Sequence, residues 1–392
     1  YQRDTAADGT VAGIQLEGID IRIDQELFAD ALDGAVEVRN STIGVGDEQG
    51  DGGRLTLTGE RVSLSGTTEL SARGATAGGL IQVGGSWQNS DPSVREAVEA
   101  SVDSDVVLDA SSIDDGDGGE IVVWSDITNT SSLTKVSGQL LAEGGVNGGH
   151  GGRIETSGAT LDVDGIRVHV QSLEGWSSGE WLLDPFDYTI DSATAPTIAS
   201  ALSSGTNVTI TTDISSQTIG TSSILADNPS DDSGGTITVS SPIAVASPGG
   251  GDLSLVADKD IVVSAQISTS SGIEGGNLTL QSKTGVSIGS GGSIDWDPSA
   301  SGQVQIIASD SGDVSGPRSI TVRNGSLIVD TNQSPSPGLF TGQLQLLNGT
   351  ELRKTGQGGL RLKPTSPNNT TGAINVNAGS VTIESSQAVD TS

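Results

Sequence analysis

The chain has 392 residues, 56 of them glycine, with 33% hydrophobic and 3% aromatic content and neither cysteine nor methionine. That composition excludes a compact helical or α/β enzyme, a disulfide-stapled domain and a thiolate metal site, yet Val, Ile and Leu recur in short alternating runs, as they do not in a disordered chain. Lys plus Arg is 18 against 50 Asp plus Glu, a formal charge of −32, which repels nucleic-acid phosphates and anionic lipid headgroups. Nucleic acid is therefore not expected among its partners.

In chain order, residues 11–16 and 19–23 alternate apolar and polar side chains and read as two strands. Asp24 as a cap, Leu27, Phe28, Ala31 and Leu32 along one face and Gly34 as a stop predict a helix over 25–32. A second helix is predicted over 93–100, where Asp91 precedes Pro92 and Val94, Ala97 and Val98 recur at helical spacing. A third, over 196–203, would bury Ile198 and Leu202. Between these segments one unit repeats: glycine, a variable residue, then apolar-x-apolar, beginning at Gly53, Gly119, Gly152, Gly235, Gly251, Gly276, Gly302 and Gly342.

Intervals of 25 and 26 residues separate Gly251, Gly276 and Gly302, which is a solenoid period. A short strand with one apolar face cannot bury it alone, whereas parallel coils stacked on one another bury continuous columns. Glycine is expected at the corners, where positive φ costs it little. The expected fold class is thus all-β, a parallel β-helix with a few short helical insertions. Coils of roughly 20 to 25 residues would give about 16 to 20 of them, and a rod of order 75 to 95 Å.

Trp176, Trp181, Phe186 and Tyr188 gather four of the ten aromatic residues into one run. They read either as a local core where the coil changes shape, the favoured reading, or as a platform for sugar rings. The cluster's end sets the one boundary, dividing a first part of the β-helix, 1–190, from its continuation, 191–392; residues 334–338 mark a lesser interruption.

Several stretches resemble, in the same order, the filamentous-haemagglutinin family, the large exoproteins of two-partner secretion. These are Gly84 to Gln88, Asp91 to Arg95, Asp109 to Ser112, Gly116 to Asp126, Gly148 to Gly158, Trp181 to Pro185 and Gly205 to Thr209. The resemblance is specific over about 78–213 and only repeat-like elsewhere. It implies a right-handed parallel β-helix, export through an outer-membrane barrel transporter, and a secreted, cell-surface adhesin, filament or stalk that engages a host, neighbouring-cell or matrix surface. The family's N-terminal secretion domain is not recognisable, and the chain lacks an initiator Met, a signal peptide and an apolar run of membrane-span length. It is expected to be a matured or internal part of a longer precursor.

Chemistry-bearing residues are sparse. No catalytic residue and no cofactor site is expected, and the two histidines, His150 in a glycine run and His169, read as structural. Calcium is the one cofactor the residues allow, through acidic turns at Asp47-Glu48 with Asp51, at Asp114, Asp115 and Asp117, and at Asp231 and Asp232, although none matches a calcium-loop motif and a solvated turn is the favoured reading. A polysaccharide-binding or polysaccharide-cleaving β-helix is the enzyme-like alternative, and the five lysines and thirteen arginines show no pairing at repeat distance from two carboxylates. Glycosylation sequons fall at Asn40, Asn129, Asn207, Asn277, Asn324, Asn332, Asn348, Asn368 and Asn369, many of them expected by chance in a Ser/Thr-rich chain. A β-helix leaves open strand rows at its ends, so a head-to-tail homo-oligomer, a self-assembling fibre, is the alternative assembly.

Overall fold

The computed structural model describes residues 13–47, 49–212, 235–247, 250–309, 313–316, 319–331, 338–340, 343–363, 369–370 and 373–383. Of the described residues strand accounts for 51% and helix for 4%, in parallel coils of a β-solenoid of about 12 turns, fewer than the repeat interval implied. The shortfall arises because insertions lengthen some coils: forty residues separate Ile81 from its partner Ile121 one coil on. The described residues fall into two compact units, 13–186 and 187–383.

Each coil of the first unit contributes one strand to each of three parallel sheets. The first sheet runs Ile14–Glu17, Ala35–Arg39, Arg61–Ser65, Glu99–Val102, Leu133–Val136 and Thr160–Asp162; the second runs Asp20–Ile23, Thr42–Val45, Glu69–Ser71, Val107–Asp109, Gln139–Leu141 and Arg167–His169. The third takes Glu26–Asp30, Arg54–Thr58, Leu80–Val83, Glu120–Trp124, Arg153–Gly158 and Glu180–Pro185. Register stacks like on like, so Leu27, Leu55, Ile81, Ile121, Ile154 and Trp181 form one inward column. Burying each such side chain stabilises the stack by about 1.5–3 kcal/mol, which no isolated coil could obtain.

Gly235, at φ 92°, keeps the positive φ that the sequence implied for the repeat's glycine, but in the first unit that glycine has a different cause. Gly53, Gly79, Gly119, Gly152 and Gly179, each just before a strand of the third sheet, are not among the positive-φ glycines. They stack on one another: a Cβ at Gly79, Gly119, Gly152 or Gly179 would lie 2.2, 2.0, 2.1 or 1.9 Å from the carbonyl oxygen of the glycine one coil before. That same oxygen accepts the ladder bond of the next coil, as Gly79 O does from Glu120 N–H at 2.9 Å. Close backbone approach, not φ, selects glycine here.

Two of the three expected helices are absent. Residues 26–30 form a strand paired with Arg54–Thr58, and Leu32 turns the chain at φ 54°; the apolar spacing 27, 28, 31 suits either structure, and the waiting edge decides it. In 93–100 the Asp91 cap does form, with Ser93 N–H and Oγ donating to Asp91 Oδ1 at 2.9 and 2.5 Å, but it closes only a turn. Ala97 and Val98 N–H then donate to Gly84 O and Glu60 O at 2.7 and 2.8 Å, and Glu99–Val102 enters the first sheet.

The second unit keeps the third expected helix, at Thr194–Ser203, with Ile198 and Leu202 buried. Asp191 Oδ1 accepts Thr194 and Ala193 N–H at 3.1 and 2.9 Å, and these bonds hold its carboxyl below the ordinary aspartate range. The helix packs on Ile243–Val245, the edge strand of a six-stranded sheet, and so covers an otherwise open row of backbone groups. This unit's own long column is Val208, Leu253, Leu278, Val304, Leu327, Leu352 and Ile374. Beside it the register sets Lys354 between Val329 and Val376. Fully buried, Lys354 turns its Nζ to the carbonyl oxygens of Thr355 and, at 3.2 Å, Gly356.

The aromatic run is not one core. Trp181 is fully buried, with Nε1–H donating to Thr156 Oγ1 at 3.1 Å, and Tyr188 is buried in the second unit, whereas Trp176 is 45% exposed on a corner.

Candidate functional site

The outer face of the third sheet in the first unit carries Val122, Trp124, Glu155 and Asp184, all fully buried. Outward apolar side chains on a solenoid need a cover, and residues 84–98 supply it. Gly84, at φ 82°, lets the chain leave the sheet; a Cβ on Gly85 would meet the Trp124 indole at 2.3 Å, so the ring lies against bare backbone there. The cover crosses the sheet through a short turn, Trp87–Asn89, in which Gln88 and Asn89 both hold positive φ, 45° and 50°. Non-glycine residues adopt that conformation only where the surroundings fix it.

What fixes it is Glu155. Gln88 N–H donates to Glu155 Oε2 at 2.8 Å and Ser157 Oγ donates to Oε1 at 2.9 Å. Burial raises the Glu155 carboxyl well above the ordinary glutamate range, and nearby Asp184 and Glu120 push the same way against those two donors. Glu96, within the cover, is also raised, by burial first and by Asp126 next, while Asn89 Nδ2 donates to its Oε1 at 2.8 Å. Around the rim, Arg153 lies 4.2 Å over the Trp87 ring and pairs with Glu120. Arg54 reaches Asp91 at 3.1 Å, and Arg95 reaches Asp30 at 3.3 Å.

A carboxylate of raised pKa beside a second one has the make-up of a general acid. In this conformation, however, Glu155 is sealed from water and a donor engages each of its oxygens. The geometry is that of a clamp on the cover. Sequence reasoning passed over this site because nothing in Arg153-Ile-Glu-Thr distinguishes an outward Glu that will be covered from one that stays wet; the signal was Trp124, a large apolar residue at an outward position.

Corners between the second and third sheets form a ridge of stacked loops that gathers most of the acidic turns. Asp51 accepts Thr76 Oγ1 at 2.6 Å, Asp117 Oδ1 accepts His150 N–H at 2.7 Å, and Asp114 bonds the Asn147 side chain and, through its carbonyl, Asn147 N–H at 2.7 Å. Among the described residues no three His, Cys, Asp or Glu side chains gather as a metal site. Asp47 binds Gln49 N–H in its own turn, and Glu48, Asp231 and Asp232 lie outside the described residues. His150 Nδ1 accepts Ser177 N–H at 3.0 Å and its ring meets Trp176 edge to face at 5.0 Å, whereas His169 sits outward on the second sheet beside Leu141.

The sequons divide by position. In the second unit Asn207 Oδ1 accepts Asp252 N–H, Asp252 Oδ1 accepts Asn277 N–H, and Asn277 Oδ1 accepts Gln303 N–H, at 3.0, 2.7 and 2.9 Å. This ladder ties coil to coil and engages Asn277 Nδ2 on Asp252 at 3.0 Å; Asn324 Nδ2 is likewise held by Asp297 at 2.5 Å. Asn129 caps its own turn by accepting Ser131 N–H at 3.0 Å. Asn40 and Asn348 are exposed at positive-φ corners. Asn332, Asn368 and the Asn369 side chain lie outside the described residues.

The fold is thus that of a parallel β-helix protein. The chain matches no protein-family model and no curated protein.

Proposed function

We propose that the chain is part of a secreted bacterial surface adhesin or stalk, a non-catalytic scaffold exported through an outer-membrane barrel and acting in attachment to cells or matrix. The observation that carries the reading is the division of labour within each unit. Inward side chains and turn residues are used to tie one coil to the next, and what departs from the repeat is built on outer faces and corners. Such a construction serves extent and display. The ordered stretches from Gly84 to Thr209 that resemble filamentous haemagglutinins support it, as does the β-solenoid fold, which is compatible with an adhesin scaffold. Charge of −32 suits a surface that must not aggregate laterally.

The test is labelling of intact source cells with an antibody to this chain, with and without protease shaving, alongside attachment by a deletion strain. Signal on intact cells that shaving removes, with attachment lost in the deletion strain, is the expected result. Signal appearing only after lysis would overturn the reading.

A further inference from the structure

Three of the five tryptophans, Trp124, Trp181 and Trp296, are fully buried, and Trp87 is partly buried beneath Arg153. Trp176 alone is exposed, at 45%, and Leu173 and Val146 beside it in the corner loops are 45% and 69% exposed. An exposed indole is ordinarily mobile, but this one is held. The main chain beneath it is fixed, the Trp176 backbone N–H donating to Leu173 O at 3.1 Å and the Trp176 backbone carbonyl accepting from Ser172 Oγ at 2.9 Å. The indole also meets His150 in a T-shaped contact, and Ser177 N–H fixes that imidazole by donating to Nδ1 at 3.0 Å. With Nδ1 accepting, the imidazole proton sits on Nε2.

Gly148 brings two of these groups together. It is buried, and a Cβ there would stand 2.8 Å from Asp115 Oδ1 and 3.2 Å from Trp176 Cζ2, so only a glycine lets the carboxylate and the indole edge close side by side over that backbone. Asp114, Asp117 and Asn147 hold the neighbouring turns through hydrogen bonds to one another's loops, and neither His150 nor Asp115 is buried. The surface is therefore a fixed aromatic platform beside polar groups able to accept and donate, in a setting whose aspartates repel phosphate, sulfate and uronate.

Two guests fit an indole beside a carboxylate: a quaternary ammonium and a sugar ring. A cage for an ammonium needs several aromatic walls, and here there is one. A pyranose presents an apolar C–H face to stack on one indole and hydroxyls at its rim to bond a carboxylate. We propose that Trp176 and Asp115 form a subsite for one pyranose ring of a neutral glycan, stacked on the indole with a hydroxyl pair on the Asp115 carboxylate.

The proposal deepens the adhesin reading and rests on it only for where the glycan is displayed. Binding is tested on the full chain by saturation-transfer NMR and calorimetry with maltohexaose, cellohexaose and chitohexaose. Because the chain has no Met or Cys, mild N-bromosuccinimide oxidation followed by mass spectrometry reads Trp176 protection separately. At least one oligosaccharide should bind and protect Trp176. Trp176→Ala should then weaken affinity about tenfold or more, Trp176→Phe less, and Asp115→Asn measurably, with the melting temperature unchanged. No transfer from any of the three at about 10 mM, affinity indifferent to both Trp176 variants, or displacement by tetramethylammonium would overturn the subsite. That failure would leave surface labelling of cells intact, whereas label seen only after lysis would remove the adhesin reading without touching measured glycan binding.

Discussion

Replacing Gly119 by alanine isolates the physical reason for the repeat. The new Cβ would stand 2.0 Å from Gly79 O and 2.7 and 2.8 Å from Gly78 C and Gly79 N, all backbone atoms that no rotamer change can move. Restoring a contact of ordinary length requires the coils to part by about 1 Å. That opens the Glu120 N–H to Gly79 O bond, now 2.9 Å, and disturbs the Ile81–Ile121 contact beside it. One weakened ladder bond and partial loss of one buried pair together predict a cost of about 3 kcal/mol. Gly165→Ala is the control: φ is 78° and nothing lies within 4 Å of a Cβ there, so only backbone strain is charged, about 1 kcal/mol. Equilibrium urea unfolding of both variants reads the difference. If Gly119→Ala cost no more than Gly165→Ala, close approach would not be what selects the glycine column.

Four further outcomes are expected. Glu155 and Glu96 have raised pKa values, so the folded state binds protons that the unfolded state has released, and stability falls as pH rises from the ordinary glutamate range toward their folded pKa values. Glu155→Gln, which keeps an acceptor for Gln88 N–H, should flatten that fall in urea midpoints taken across pH while Glu96, facing Asp126, leaves a residual slope; an unchanged slope would contradict burial of the Glu155 charge. Lys354 is shifted the other way, lowered by burial against the pull of Asp330, so its stability contribution is lost as pH falls from the ordinary lysine range through the folded pKa, and Lys354→Met should stabilise the neutral-pH protein by about 1–3 kcal/mol in the same assay. Neutral and acidic polysaccharides incubated with the purified chain should remain uncleaved by size-exclusion chromatography; cleavage abolished by Asp184→Asn or Glu155→Gln would establish an enzyme. Peptide mass mapping of native material should find any N-glycan at Asn40 before Asn277 or Asn324, whose amide nitrogens are engaged.

The solenoid was legible because apolar alternation and the glycine interval both report a structure that repeats every coil. Residues such as Leu253, Leu278 and Val304 occupy the stacked positions that their spacing implied. Two helices were misread for a common reason. Periodicity measures which side chains share a face, but Ala97, Val98 and Glu99 take backbone partners supplied by residues 13 to 39 positions away, and no local pattern encodes a distant ladder. The site was hidden likewise. Glu155 acquires its burial and its donor Gln88 from a segment 67 residues upstream, and Trp176 differs from Trp181 only in facing out of a corner.

The cover over the third sheet follows from the economy of a β-helix. Its ladders consume the backbone groups of the strands, so side chains on the outer face are the only freedom a coil has, and the first unit places Val122 and Trp124 there. Left open, those apolar side chains would adjoin one another on a flat sheet, a surface prone to association. Residues 84–98 close over them and return to their starting point, since Ala97 N–H donates to Gly84 O at 2.7 Å. The segment is therefore an Ω-like loop added to a complete coil. Replacing 86–96 with a short Gly-Ser turn should leave Gly84 N–H on Leu57 O and Val98 N–H on Glu60 O, each at 2.8 Å, and so preserve the far-ultraviolet strand spectrum. The same variant should bind a hydrophobic dye and self-associate in light scattering, and Trp124→Ser in that background should reverse both. If the shortened chain instead unfolds, the loop holds the coils together and does not merely cover them; if it stays monomeric and dye-free, the outer face does not need its cover.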